Sequence, residues 1–352
     1  MEVTDRGESL QDFRSVVVQD SSHTAEARRN ALELASSLGF SEIEAGNLAL
    51  IVTEAARNLL KHAGGGELIL HGAEHDDGPT VEMLAVDKGP GMEDISRSFR
   101  DGYSTAGTPG TGLGAISRLA SLHDIYSQPR QGTVLLAQIA RRGVRPSGPK
   151  WRTARFRVGA VSVPKPGEPV SGDASAFSER AGIGRLIVAD GLGHGLLAAD
   201  AARAAVRAVI EHPDYSGVSL MRRIHTALRP TRGAAVAIAE PDAERGVLRY
   251  TGIGNVSASI ISRDGRVQHL VSHAGTAGHE AHKIAEFSYR WEPGSLLIMH
   301  SDGLGSHWSL ERYPGLVARH PSLIAGILYR DFNRGRDDAT VVVLEETGRT
   351  AG

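Results

Sequence analysis

Aspartate recurs at the ends of apolar runs in this chain, usually with glycine next to it, and this constrains its fold more than any other feature. Leu186–Asp190 and Leu296–Asp302 each stop on a carboxylate that Gly191 or Gly303 follows. Val81–Asp87 ends the same way and turns through Gly89 and Gly91. Gly172-Asp173 and Asp337-Asp338 add two further acidic turns. Apolar runs of this length, bounded by turn residues, read as strands buried in a sheet. A single Asp-Gly pair reads as a plain hairpin turn. Several at the ends of adjacent strands would gather their carboxylates along one edge of a sheet.

The acidic turns sort into two groups separated by Arg141–Lys150, a stretch with two prolines, two glycines, four basic residues and almost nothing to bury. It reads as a linker, which predicts one domain over 1–140, a linker over 141–152 and a second domain over 153–347. At 352 residues the chain is long enough for two cores. Ser41 with Glu44 forms a capping box, and the apolar stripe Ile43, Leu48, Val52, Ala55, Leu59 predicts a helix to about His62. Strands are expected at 67–72, 81–87 and 133–140. Beyond the linker they are expected at 157–163, 184–190, 234–240, 248–254, 256–262, 295–301 and 339–344. Helices are expected at 115–122, 196–210 and 321–329. The fold class is α/β (α+β), strand-rich layers with flanking helices.

Hydrophobic residues at 41%, charged residues at 23% and apolar runs too short to cross a bilayer predict a cytoplasmic protein without a membrane partner. A net charge of −2 gives no reason to expect nucleic acid. With no cysteine, a thiolate metal site or nucleophile is excluded.

In the first group, Glu54 and Asn58 are four residues apart on one helix face, with Lys61 and His62 a turn later. A carboxylate and an amide so placed can hold Mg²⁺ and orient a nucleophile's proton; alone, they also fit a solvated polar face. Asp87, with Gly89 and Gly91 allowing a sharp turn, can accept from an exocyclic amine. The glycine-rich stretch from Gly102 to Gly114 leads into a helix, an arrangement whose backbone amides cradle phosphate. TEAARNLLKHA, AVDKGPGMED and GYSTAGTPGTGLGA together resemble the GHKL (Bergerat-fold) ATPases, of the anti-sigma-factor serine kinase type. The resemblance covers nearly all of residues 13–140 and implies an α/β sandwich that binds ATP with Mg²⁺. It implies Glu54 as general base, Asn58 as Mg²⁺ ligand, Asp87 with Gly89 and Gly91 at the adenine, and Gly110, Thr111, Gly112, Leu113 and Gly114 as the phosphate lid.

The second group carries only oxygen ligands, without cysteine or paired histidines, which favours Mn²⁺ or Mg²⁺ over zinc. Two such ions can drive in-line attack on a phosphoester. SGDASAF, VADGLGHG, IGNVS, MHSDGL and GRDDATVVV resemble the metal-dependent PPM protein phosphatases in their SpoIIE-like bacterial branch, over about 153–346. The resemblance implies an α/β/β/α sandwich with Asp190 bridging two metals, the Gly191 carbonyl on one of them, and Asp173, Asp302 and Asp337 completing the shell. Asp337 is preferred to Asp338 because the family's ligand comes first in its D-[DN]-x-T pattern. Ala176 stands where many relatives have a second acid, which puts a third, weaker metal position in question. His194 reads as a polar turn residue. Arg232 and Arg336 read as surface arginines that could also grip a phosphate by their fork geometry.

The two resemblances imply an ATP-dependent protein serine/threonine kinase joined to a Mn²⁺- or Mg²⁺-dependent phosphoserine/phosphothreonine phosphatase. Partners implied are STAS-domain phosphoproteins of a stressosome or anti-sigma-antagonist system, with a downstream phosphatase or sigma regulator; a homodimer is compatible. The alternative is a phosphatase alone, with the N-terminal domain sensing nucleotide or docking a partner.

Overall fold

The computed structural model describes residues 6–10, 12–75, 78–95, 112–141 and 155–347. The chain forms two compact units, one of residues 12–150 and 318–330, the other of 1–11, 151–317 and 331–352. Each unit therefore includes a short segment from beyond the linker, which itself lies almost wholly outside the described residues.

The first unit is a five-stranded antiparallel sheet in the order β2-β3-β4-β6-β5, where β2 is Arg14–Val18, β3 Gly66–His75, β4 Gly78–Val86, β5 Leu122–Ser127 and β6 Thr133–Ala140. Two helices, α1 (Ser21–Ser37) and α2 (Glu42–Asn58), cover one face through Ala31, Leu34, Leu48, Val52 and Ala55 against Leu68, Leu70, Met83 and Leu135. The capping box at Ser41 is present, with the Glu44 amide donating to Ser41 Oγ and Glu44 Oε2 accepting from the Ser41 amide. Helix α2 stops at Asn58, earlier than the sequence suggests, because a π-helical turn (Leu59–Ala63) widens the coil before Gly64.

Strand β4 is buried along nearly its whole length, so both faces of the sheet are covered. Helix α6 (Pro321–Phe332) supplies the second cover through its part up to Arg330. A β-carbon on Gly326 would lie 2.9 Å from Val134 Cγ1, which places this helix tightly on the sheet. Polar anchors flank the contact. Tyr329 Oη donates to Glu67 (2.9 Å to Oε2), Ser322 Oγ donates to Glu82 Oε2 (3.0 Å), and Arg319 pairs with Asp124 (3.1 Å).

The second unit has two sheets. One runs β1-β8-β9-β10-β11-β14, with β1 at Arg6–Leu10, β8 at Asp173–Arg180, β9 at Ile183–Gly191, β10 at Ala234–Asp242, β11 at Val247–Ile253 and β14 at Phe287–Arg290. The other runs β13-β12-β15-β16-β7, with β7 at Phe156–Val163, β12 at Ser257–Ile261, β13 at Val267–His269, β15 at Leu296–His300 and β16 at Ala339–Glu346. Helices α4 (Leu196–Ile210) and α5 (Gly217–Ala227) pack an alanine-rich face, including Ala201, Ala202 and Ala205, on the first sheet through Ile187, Ala189, Val236 and Ile238. In the first unit, α3 (Gly112–Leu119) is the short helix at the predicted lid; it starts three residues earlier than the sequence pattern places it.

Most strands fall within a few residues of their predicted positions. Not foreseen are β1, β2, β5, β8, β13, β14, α1 and α5. Helix α1 buries mainly alanines, which make a faint stripe, and β1 (RGESL) becomes a strand by pairing with β8 from Arg6↔Glu179 to Leu10↔Ser175.

Candidate functional site

In the first unit, α2 delivers Glu54 and Asn58 to the same place. A β-carbon on Gly112 would lie 3.2 Å from both Glu54 Oε2 and Asn58 Oδ1, so α3 begins directly against this pair. Glu54 Oε1 accepts from Arg57 Nη1 (2.8 Å), which leaves Oε2 facing Gly112. Asn58 Nδ2 is buried without a hydrogen-bond partner, an uncompensated donor that suits an absent oxygen-rich ligand.

Asp87 follows β4 directly. Its Oδ1 accepts from the amides of Gly89 (2.8 Å) and Thr133 (3.2 Å), which fixes the carboxylate's orientation. Burial pushes its pKa up, partly offset by those hydrogen bonds and by Arg330 and His62. Gly91 must be glycine, because any β-carbon would collide with the Gln128 carbonyl. Leu113 and Gly114 lie in the first turns of α3. Gly110 and Thr111 lie outside the described residues.

In the second unit the acids meet through the strand ladder and across the sandwich. Asp173 and Asp190 are direct Cα partners where β8 pairs with β9. Asp302 follows β15, which belongs to the other sheet. The expectation that the Asp190 and Asp302 strands are adjacent is thus corrected. The chain crosses between the sheets from β11 to β12, returns at β14 and crosses again to β15, so these carboxylates approach from opposite layers. The link is Ser301, whose Oγ donates to Asp173 Oδ2 (2.7 Å) and accepts from the Thr340 amide (3.0 Å).

Asp338 sits close to both aspartate turns. A β-carbon on Gly172 would lie 2.7 Å from its Oδ2, and one on Gly303 would collide with its backbone carbonyl. Its Oδ1 accepts from the Lys165 amide (2.9 Å), while Asp337 is exposed with Oδ1 accepting from the Asp338 amide (3.0 Å). Asp302 Oδ2 accepts from Asn255 Nδ2 (2.7 Å). The Gly191 amide donates to the Gly172 carbonyl (3.1 Å), and the residue packs against the Ala198 carbonyl too closely for any side chain.

This is a site under electrostatic load. Burial, then repulsion from Asp173, Asp302, Asp337 and Asp338, pushes Asp190 up to about 9. Burial pushes Asp173 up to about 7 against the opposing hydrogen bonds of Ser301 and Thr340. Asp173 Oδ1 and Asp338 Oδ2 are buried without hydrogen-bond partners. No three carboxylate or imidazole groups among the described residues are already drawn into a closed coordination sphere. Oxygen-only donors with two orphaned buried atoms fit hard divalent cations.

Sequence reasoning passed over Ser301 and Asn255, although both lie inside the motifs it singled out. It set Asp338 aside, and the structure makes this the most buried acid of that pair. His194 is an exposed turn residue whose Nδ1 meets Glu168 Oε1 at 2.6 Å. Arg232 approaches the same turn, its Nη1 3.1 Å from where a β-carbon on Gly193 would stand. Arg336 is exposed.

Residues 17–139 match the family described as the histidine kinase-like ATPase domain, and residues 182–346 match stage II sporulation protein E (SpoIIE). Serine/threonine-protein kinase RsbT of Bacillus subtilis (strain 168) is 31% identical over 111 residues, which is 32% of this chain and 84% of that protein. Phosphoserine phosphatase RsbX of the same strain is 32% identical over 143 residues, 40% of this chain and 70% of that protein. A solved structure described under "The bacterial stressosome" aligns over 55% of this chain and 100% of its own, with 26% identity and a TM-score of 0.52.

Proposed function

Because this chain belongs at once to the histidine kinase-like ATPases and to the SpoIIE phosphatases, we propose that it both adds phosphate to and removes phosphate from proteins of one partner-switching system. Its substrates are STAS-domain proteins carrying regulatory serine or threonine. The reading is supported above all by one observation: each unit concentrates polar groups at one spot and leaves buried atoms there unsatisfied, Asn58 Nδ2 in one, Asp173 Oδ1 and Asp338 Oδ2 in the other.

In the kinase half, the substrate hydroxyl attacks the γ-phosphorus of ATP, the bond to the β-phosphate oxygen breaks, and ADP leaves. Glu54 Oε2, free of the Arg57 ion pair, takes the hydroxyl proton. Asp87 reads the adenine amine, Asn58 would hold Mg²⁺, and α3 presents its amides to the phosphates beside Glu54.

In the phosphatase half, Asp173, Asp190, Asp302, Asp337 and the Gly191 carbonyl would hold two Mn²⁺ or Mg²⁺. When bound, these supply Lewis acidity and water activation. Ser301 and Asn255 orient Asp173 and Asp302, and Asp338 accepts from the Lys165 amide through Oδ1 while its unpartnered Oδ2 stays open to the same cations.

Opposed activities on one residue would only consume ATP, so the two halves act on different phosphosites or under opposite control. The test is phosphate occupancy at each site of a STAS-domain substrate with the Glu54→Ala and Asp190→Ala variants. Occupancy should fall in the first and rise in the second; no change in either refutes the reading. A nucleotide-sensing N-terminal unit is the second reading, favoured by the ion pair that occupies Glu54 Oε1. It predicts ATP binding with no transfer of label to protein.

A further inference from the structure

The turn after Asp190 carries three large apolar side chains that the fold does not use. Leu192, Leu196 and Leu197 are 56%, 63% and 55% exposed, whereas the next residues of α4, Ala198, Ala199, Ala201 and Ala202, are fully buried. The leucines lie outside the helix's packing stripe. Exposed apolar side chains grouped on one turn, with polar residues around them, are the kind of surface that marks a protein-interaction site.

The turn holds them in place. Gly193 (φ +92°) and Gly195 (φ +72°) adopt backbone that side chains rarely tolerate, and the His194–Glu168 contact pins the segment between them. Gly191, at its base, is clamped under the Ala198 carbonyl. Leu192, two residues after Asp190, and Leu196 and Leu197, at the start of α4, therefore stand on a fixed turn that leads away from the acidic cluster. Arg232, exposed and without an ion-pair partner among the described residues, reaches Gly193 on the same turn. Apolar contact and a guanidinium fork side by side match a phosphorylated side chain emerging from an apolar protein surface.

We propose that Leu192, Leu196 and Leu197 form a docking lip that grips an apolar patch next to the phosphoserine or phosphothreonine of a folded protein substrate, with Arg232 reaching toward its phosphate. The proposal rests on the phosphatase reading above. A small aryl phosphate needs the acidic cluster only; a folded phosphoprotein uses the lip as well, so its binding energy comes partly from contacts remote from the scissile bond.

The experiment compares the full chain with its Leu196→Ser/Leu197→Ser variant, with Mn²⁺ present. Both are given p-nitrophenyl phosphate and a serine-phosphorylated STAS-domain protein, and thermal unfolding is recorded in parallel. The expected result is a KM for the phosphoprotein raised about tenfold or more, with p-nitrophenyl phosphate kinetics within twofold and an unchanged unfolding midpoint. An unchanged phosphoprotein KM overturns the lip, and so does an equal loss on both substrates. If the unaltered chain hydrolyses p-nitrophenyl phosphate but not the phosphoprotein, the substrate class and the lip fall together. If it hydrolyses neither, the phosphatase reading itself fails.

Discussion

The two sites are built on opposite plans. The carboxylate cluster is wired into the sheets: Asp173 and Asp190 are paired by strand register, and Ser301 ties one layer to the other. The Glu54–Asn58 site hangs on one helix face, with the start of α3 directly against it. Strand register sets Asp173 and Asp190 side by side, and burial first, then the neighbouring carboxylates, raises their pKa values. The helix-borne site takes Glu54 and Asn58 from a single helix and pairs Glu54 with Arg57.

The comparison makes the Asp190→Ala variant the severest test. Phosphatase turnover should drop by more than about 10²-fold, since even groups that only support a metal ligand are worth 10–100-fold, while ATP binding, followed by fluorescent-nucleotide titration, stays intact. In the other site, Glu54→Gln should cut phosphoryl transfer by about 10²-fold or more at undiminished nucleotide affinity. If it weakens binding instead, Glu54 is not the proton acceptor.

Ser301→Ala removes the tie between the layers. Metal affinity measured by calorimetry should weaken about ten- to a hundredfold, a loss that an ordinary surface serine would not give. Proton competition sharpens the contrast further. With Asp173 near 7 and Asp190 near 9 in the metal-free chain, the folded state binds more protons than the unfolded one. Stability of the metal-free chain should therefore fall as pH rises from about 4 to about 9. Over pH 6 to 9 the apparent Mn²⁺ affinity should rise, by up to about tenfold per pH unit for each proton displaced. A flat profile would mean the acids do not share one centre.

The smallest effect belongs to the first unit's second cover. Tyr329→Phe deletes the hydroxyl that Glu67 accepts from, and should cost about 1 kcal/mol, a melting shift of about 2–4 °C, with both activities kept.

Much of this was legible in the residues. The capping box at Ser41, the apolar stripe of α2 and the β-branched runs of β4, β9, β15 and β16 announce themselves locally, because their periodicity is their burial. Asp87, Asp190 and Asp302 were legible too, each closing such a run, and Asp173 and Asp337 stood in the acidic turns Gly172-Asp173 and Asp337-Asp338. Asn255, Ser301 and Asp338 were not, because a side chain that orients another has no local pattern; only its distance to Asp173 or Asp302 identifies it. Strand β1 was hidden for a similar reason, its partner β8 lying more than 160 residues away along the chain.

What the amino-acid order alone determined is therefore the inventory: two families of motif, oxygen-only ligands, and strands ending on acids. Only the tertiary structure decided that Asp190 and Asp302 come from different sheets, that helix 321–330 covers the first unit's sheet, and that Leu192, Leu196 and Leu197 remain exposed. The physical reason is that periodicity reports whether a residue is buried, whereas partners distant in sequence are chosen by how layers pack, and packing is a property of the whole chain.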